Sequence, residues 1–175
     1  MVAPRPDAIP EVIEEPSPAE ILEIVTRAVF QAGVKWSAIA QHWNNYRDAF
    51  ANFDPTSVAA FDSLDVERIL AHPGILRSRR KVTATIANAA ALLEVERSFR
   101  SFHGYAGSFD DYDALAKDMK KRFAFLGDMN VWYVLFRCGE PVPHFESWIT
   151  TIPGTHPRMR EMVERARSQH RSPER

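Results

Sequence analysis

Apolar and polar positions along this chain recur with the period of a helix. Ser17-Pro18-Ala19-Glu20 combines a capping serine, a proline at the first helical position and a glutamate three residues after the cap. Ile21, Leu22, Val25 and Val29 then return at helical spacing, which predicts one stripe facing a core until Gly33 stops the helix. A second helix is expected over 37–50, ending before the Asn52-Phe53-Asp54-Pro55 turn. Short helices over 56–61 and 63–71 follow, the latter broken by His72-Pro73-Gly74. Ser78 caps a longer helix with Val82, Ile86, Ala89 and Leu93 on one side. Gly104 and Gly107 mark a loop, after which 109–122 reads as a helix with Lys117, Lys120, Lys121 and Arg122 toward its end. The apolar run 131–136 fits a buried strand on periodicity alone. Only two of its members are β-branched and its surroundings are helical, so a buried helix is expected. The fold class that results is all-α.

The ends depart from this pattern. Pro4, Pro6, Pro10 and Pro16 remove backbone donors from residues 1–16, which read as a disordered acidic tail. Residues 17–150 read as one helical domain and 151–175 as a basic extension, with a short helix at 157–168 and frayed residues beyond it. The net charge of −1 is a sum of unlike parts: −4 over 1–20, zero over 21–155 and +3 over 156–175. That total argues against a wholly basic coat protein and says nothing against a local basic patch. With 175 residues, 45% of them apolar and 26% charged, the chain has the balance of one soluble domain with tails. Its single cysteine, Cys138, excludes an internal disulfide framework and a multi-cysteine zinc ribbon. No apolar run approaches the roughly 18 residues of a spanning helix, and MVAPRPD lacks the order of a signal peptide. The expectation is a cytoplasmic protein, nucleoid-associated in a prokaryote.

Two helix connections carry candidate chemistry. Residues 73–81 run Pro-Gly-Ile-Leu-Arg-Ser-Arg-Arg-Lys, placing four positive charges at the start of a helix. Unpaired N–H groups and the helix dipole favour an anion such as phosphate there; a solvated turn whose arginines hold nearby carboxylates is the plainer alternative. Residues 120–127, Lys-Lys-Arg-Phe-Ala-Phe-Leu-Gly, form a basic helix end, an apolar hairpin and a glycine. Gly127 permits a close backbone approach to a ligand, or simply ends a helix.

A longer series of motifs narrows these readings. Gln31-Ala32-Gly33-Val34-Lys35-Trp36, Asn45-Tyr46-Arg47, Phe53-Asp54-Pro55, Val58-Ala59-Ala60, Asp65-Val66-Glu67-Arg68, Gly74-Ile75 with Arg77, Arg79 and Lys81, and Asn88-Ala89 occur in this order. Asp113-Ala114-Leu115-Ala116-Lys117, Lys120-Lys121-Arg122, the hairpin to Gly127 and Cys138-Gly139 continue it. In order and spacing, roughly residues 17–148 resemble the DNA-3-methyladenine glycosylase I family of the helix–hairpin–helix superfamily. The resemblance implies an all-α base excision repair protein that grips phosphate through a hairpin, flips a damaged base and cuts its glycosidic bond. It implies phosphate contacts for Gly74, Arg77, Arg79, Lys81, Lys120, Lys121 and Gly127. It also implies a base-stacking role for Trp36, which competes with plain core packing. Trp148 and Trp132 are further candidates for the base pocket, with core as the plainer role for Trp132.

This chain departs from the resembled pattern at several positions. The family's base-recognising glutamate falls on Ala28 in an alignment without gaps, and alanine can neither accept a hydrogen bond from a methylated purine nor stabilise positive charge. The family's amino-terminal zinc ligands and pocket aromatics have no counterpart in the proline-rich tail. Of its carboxyl-terminal zinc pair, His144 is in register but the cysteine position is Trp148, so no zinc and no other cofactor is expected. Superfamily relatives place a catalytic aspartate seven residues after a helix-ending glycine, and Glu146 stands there after Gly139. A carboxylate at that point can stabilise an oxocarbenium-like sugar or orient water; alternatively Glu146 pairs with a surface arginine. Bifunctional relatives carry a lysine two residues after the hairpin glycine, where this chain has Met129, so Schiff-base lyase chemistry is not supported. The leading expectation is a monofunctional glycosylase acting on alkylated purines in double-stranded DNA, with no membrane partner. The alternatives are a helix–hairpin–helix DNA-binding module that has lost its chemistry, and a helical protein-interaction domain.

Overall fold

A computed structural model describes residues 12–154. Expectations for 1–11 and 155–175, including the helix at 157–168, lie outside the described residues. The described chain holds ten α-helices: α1 (Pro18–Gln31), α2 (Trp36–Ala40), α3 (Trp43–Ala49), α4 (Pro55–Ala59), α5 (Ser63–Leu70), α6 (Arg79–Phe99), α7 (Phe102–Ala106), α8 (Tyr112–Arg122), α9 (Asp128–Arg137) and α10 (Phe145–Ile149). No strand occurs among the described residues, so the 131–136 run is helical, as its surroundings suggested. No helix among them is long and apolar enough to cross a membrane.

The 21-residue α6 is the axis of the fold, in contact with α1, α4, α5 and α7. Helix α1 begins at the expected capping box, with Ser17 Oγ accepting from the Glu20 amide and Glu20 accepting from the Ser17 amide at 2.8 Å. More than one stripe of α1 is buried, because it lies between α6 and α9: Ile24 and Ala28 join Ile21, Leu22, Val25 and Val29 in the core. On α6 the buried face runs through Lys81, Val82, Thr85, Asn88, Ala89, Leu92 and Val95. Ile86 and Leu93 are only partly buried. The apolar pattern misplaced this face because three of its members are polar, and each of them makes an internal hydrogen bond.

Four other expectations are refined. The helix over 37–50 is two helices that meet near His42; the bend seats the Trp43 ring against Tyr46 (4.8 Å) and Phe53 (5.5 Å), while its Nε1 donates to Glu23 at 2.7 Å. The glycine-marked loop contains α7, and Gly104 is there for close packing, since a Cβ would lie 2.5 Å from the Phe99 carbonyl oxygen. The last helix before the hairpin begins at Tyr112, capped by Asp111 accepting from the Ala114 amide at 2.8 Å. Residues 12–16, assigned from sequence to the tail, run against the body: Ile13 N donates to Arg137 O at 2.9 Å and its side chain packs on the core. A second, smaller cluster of Trp132, Phe145, Trp148 and Ile149 fastens α10 to α9.

One ion pair gives this packing a pH dependence. The buried Glu140 carboxylate meets His103 Nδ1 of α7 at 2.9 Å. Its hydrogen bond and charge raise the His103 pKa above the ordinary 6.5. The protonated imidazole is therefore favoured in the folded chain, and this stabilisation is complete below the unfolded-state value. It disappears as pH rises through the elevated folded value. Urea midpoints measured upward from pH 6 should accordingly fall with pH, and His103→Gln should flatten that fall.

Candidate nucleic-acid interface

The first basic turn is built on α3. Tyr46, 1% exposed, accepts the Leu76 amide on its hydroxyl at 3.0 Å, and His72 Nδ1 accepts the Gly74 amide at 3.1 Å. A Cβ on Gly74 would lie 2.0 Å from Asn45 Nδ2, so a larger residue there would displace the Asn45 side chain of α3. Ser78 caps α6 by accepting the Lys81 amide at 3.4 Å. The cations are employed unequally. Arg77 Nε donates to the Leu70 carbonyl at 3.1 Å, and Arg79 pairs with Glu67, both side chains remaining more than half exposed. Lys81 is turned inward: its Nζ donates to Phe30 O at 2.9 Å and Ala32 O at 2.7 Å, satisfying carbonyls at the end of α1. Burial lowers its pKa. Its placed role is therefore to tie α6 to α1, in contrast to the phosphate contact expected from sequence.

The second basic turn joins α8 to α9. Phe123 and Leu126 point into the core, whereas Phe125 between them is exposed on a left-handed backbone with φ 64°. Asn88 of α6 holds this hairpin from within, its Oδ1 accepting the Ala124 amide at 2.6 Å and its Nδ2 donating to the Ala124 carbonyl at 3.1 Å. Gly127 precedes α9, where no side chain caps the helix. A Cβ there would meet nothing within 4 Å, and its φ of −92° is open to any residue. Lys120 pairs with Asp128 at 2.6 Å with 40% of each side chain exposed, and Lys121 is exposed beside it. Arg122 is a structural cation: its Nε donates to Asp118 at 2.9 Å, and Asp118 also accepts the Tyr105 hydroxyl at 2.6 Å.

These two turns are neighbours. The Arg80 guanidinium at the start of α6 lies 5.2 Å from the centre of the Phe125 ring at the hairpin tip. Arg77, Arg79, Arg80, Lys120 and Lys121 are thus carried by two adjoining connections, with the uncapped start of α9 beside them. Sequence reasoning counted Arg80 among the four charges of the first turn and Asn88 among the motifs, but gave neither of them, nor Phe125, a part in joining the two turns. A buried asparagine facing a hairpin backbone leaves no periodic signal. Phe125 had one: two hairpin aromatics separated by one residue do not fit the same inward face.

The remaining candidates fall elsewhere. Ala28 is 2% exposed and belongs to the core. Beside it on α1, Glu23 accepts from Trp43 and Arg47, and the Arg27 guanidinium lies 4.7 Å from the Trp43 ring centre. Burial, opposed by Tyr133 and reinforced by the like charges of Arg137 and Arg47, lowers the Arg27 pKa. Trp36 opens α2, but its side chain is not among those described. Trp132 and Trp148 are 7% and 8% exposed and stack on each other at 5.8 Å, with Trp132 Nε1 donating to the Pro143 carbonyl. As placed, they serve one another and α10. Glu146 is exposed in the first turn of α10, and Met129 follows Gly127 in the first turn of α9.

Of the zinc pair implied by the family resemblance, the described residues hold His144 and, at the cysteine position, Trp148. Among the described residues no three His, Cys, Asp or Glu side chains gather to hold a metal ion. His144 is exposed at the start of α10. Trp148 is indole in a packed cluster, and burial pushes the Cys138 thiol up to about 12, so it packs as a thiol rather than ligating as a thiolate.

If Asn88 is what holds the hairpin, Asn88→Ala should lower stability by about 1–3 kcal/mol through the unpaired Ala124 groups. In native-state hydrogen exchange the Ala124 amide should lose protection before the interior of α6 does, and equal loss in both would show that the pair is not a local latch.

Comparisons with known proteins bear on the family and the fold. A family model described as methyladenine glycosylase matches residues 14–122. DNA-3-methyladenine glycosylase 1 of Escherichia coli (strain K12) is 32% identical over 148 residues, covering 73% of this chain and 79% of that protein. A crystal structure of 3-methyladenine DNA glycosylase I superposes with a TM-score of 0.62 at 32% identity, over 75% of this chain and 81% of that one. A variant of 3-methyladenine DNA glycosylase I in complex with 3-methyladenine gives 0.64 at 25% identity, over 76% and 82%. With a family model matching well over half of its length and a relative 32% identical across most of both chains, this chain belongs to the methyladenine glycosylase family.

Proposed function

We propose that this protein is a monofunctional DNA glycosylase of base excision repair, hydrolysing the N-glycosidic bond of alkylated, 3-methyladenine-like purines in double-stranded DNA. The observation that carries the reading is the juxtaposition of two basic turns, joined by Arg80 and Phe125 and latched by Asn88. Backbone amides at the start of α9 with Lys120 and Lys121 grip one phosphate, and Gly74, Arg77 and Arg79 flank a second. Gly127 supports this assignment. The fold itself imposes no glycine there, so a ligand approaching the helix start supplies the reason for it. Trp36 is the residue proposed to stack on the extruded base.

N-alkylation places positive charge on the purine, so bond cleavage releases a neutral base and needs less help than an ordinary purine would. Water attacks the anomeric carbon, the electrons of the glycosidic bond return to the base, and a proton leaves the attacking water. Glu146 is the proposed carboxylate for the developing oxocarbenium charge or for that proton. Met129, where superfamily lyases carry an amine nucleophile, leaves water as the attacking group.

A second reading has its own support. Ala28 is sealed in the core at the position where the family resemblance implies a base-recognising glutamate, which favours a DNA-binding module without chemistry. Single-turnover release of methylated purines from duplex DNA separates the two. The enzyme reading expects release above the spontaneous rate, reduced about 100-fold or more in Glu146→Gln with duplex affinity unchanged. Release at the spontaneous rate with intact duplex binding would establish the module.

A further inference from the structure

The hairpin between α8 and α9 contains a side chain that the fold does not use. Phe123 and Leu126, 2% and 6% exposed, are core residues, whereas Phe125 is 37% exposed and belongs to neither core cluster. It also occupies a left-handed backbone position, φ 64°, which is costly for a bulky L residue and free for glycine. Neighbouring bonds enforce that conformation: Asn88 fixes Ala124 from both sides, and Asn130 Nδ2 donates to the Phe125 carbonyl at 3.3 Å. The chain thus keeps an exposed aromatic ring where glycine would be the easier residue. Such a residue is explained by something outside the fold.

Its surroundings indicate what that is. The Arg80 guanidinium, from the other basic turn, lies 5.2 Å from the ring centre. The uncapped start of α9 and exposed Lys121 follow along the same connection. A cation, an apolar ring and an anion-binding helix start therefore succeed one another. A DNA strand presents the complementary series of phosphate, deoxyribose and phosphate. Resting on the DNA-binding reading above, we infer that Phe125 and Arg80 form a two-part clamp on one strand. Phe125 packs against the apolar face of a deoxyribose, and Arg80 binds the phosphate on the side away from α9. The ring sets the register of the backbone between two phosphate contacts, which neither cation alone can do.

The two halves have different salt signatures, and the backbone strain supplies a control. Phe125→Gly removes the ring and relieves the left-handed residue, so melting temperature should be unchanged or higher. Duplex affinity, read by fluorescence anisotropy with the full chain and a short labelled duplex, should fall about fivefold or more. The slope of log affinity against log salt should stay as in the wild type. Arg80→Gln should instead reduce that slope by about one. Phe125→Trp should retain affinity. The inference is overturned if Phe125→Gly binds like the wild type, if its affinity and melting temperature fall together, or if Arg80→Gln leaves the slope unaltered. A wild-type protein that releases no base yet shows these binding effects defeats the catalytic reading and supports the clamp. Absence of salt-dependent duplex binding defeats both.

Discussion

Asn88 is 1% exposed in the middle of α6 and exchanges hydrogen bonds in both directions with the backbone of Ala124. The orientation of the hairpin on α6 depends on that exchange. A hairpin between two helices carries backbone donors and acceptors that neither helix can satisfy, and burying them unpaired is costly. An asparagine amide answers one of each from a rigid helix, so the hairpin is held in orientation as well as in place. Three residues and then four earlier on the same face, Thr85 and Lys81 extend this seam toward the start of α6, where Lys81 holds the carbonyls of Phe30 and Ala32. One helix thereby indexes the end of α1, the first basic turn and the hairpin against each other.

The same seam explains how a neutral body presents positive charge. Lys81 and Arg122 are consumed internally, one by carbonyls and the other by Asp118. Arg79 and Lys120 have acidic neighbours, Glu67 and Asp128, but on partly exposed side chains. Exposed ion pairs are worth little and exchange readily when a stronger anion arrives. Charge at this face is therefore balanced by weak pairs rather than locked by strong ones. A near-zero total is compatible with a polyanionic partner on these terms, because what matters is how cheaply each cation can change partners.

The fold class and most helix starts were legible because they depend on local chemistry: Ser17 with Glu20, and Ser78 before a basic first turn. What escaped was set by tertiary contact. The bend near His42 serves the seating of Trp43, and α7 depends on a glycine chosen for lack of volume rather than for a turn. The buried face of α6 was misplaced because Lys81, Thr85 and Asn88 look like surface residues until their partners, in part distant in sequence, are known. The two basic turns were legible as compositions, but their adjacency was not. Arg80 and Phe125 are 45 positions apart, and only the packing of α8 and α9 on the core brings them together.

The core around Ala28 bears on what kind of catalyst such a fold can be. A carboxylate stabilises a cationic base only where it faces the ligand and is itself supported in ionised form. At position 28 the side chain faces the core, while the neighbouring Arg27 is a partly desolvated cation. An N-alkylated purine carries positive charge, and position 28 offers it no carboxylate. What the described structure does provide is a set of exposed cations at two adjoining helix starts, the proposed grip on the DNA backbone. Binding energy realised there can be spent on unstacking and holding the nucleotide in position. For a lesion whose glycosidic bond is already weak, positioning is a substantial part of what catalysis requires.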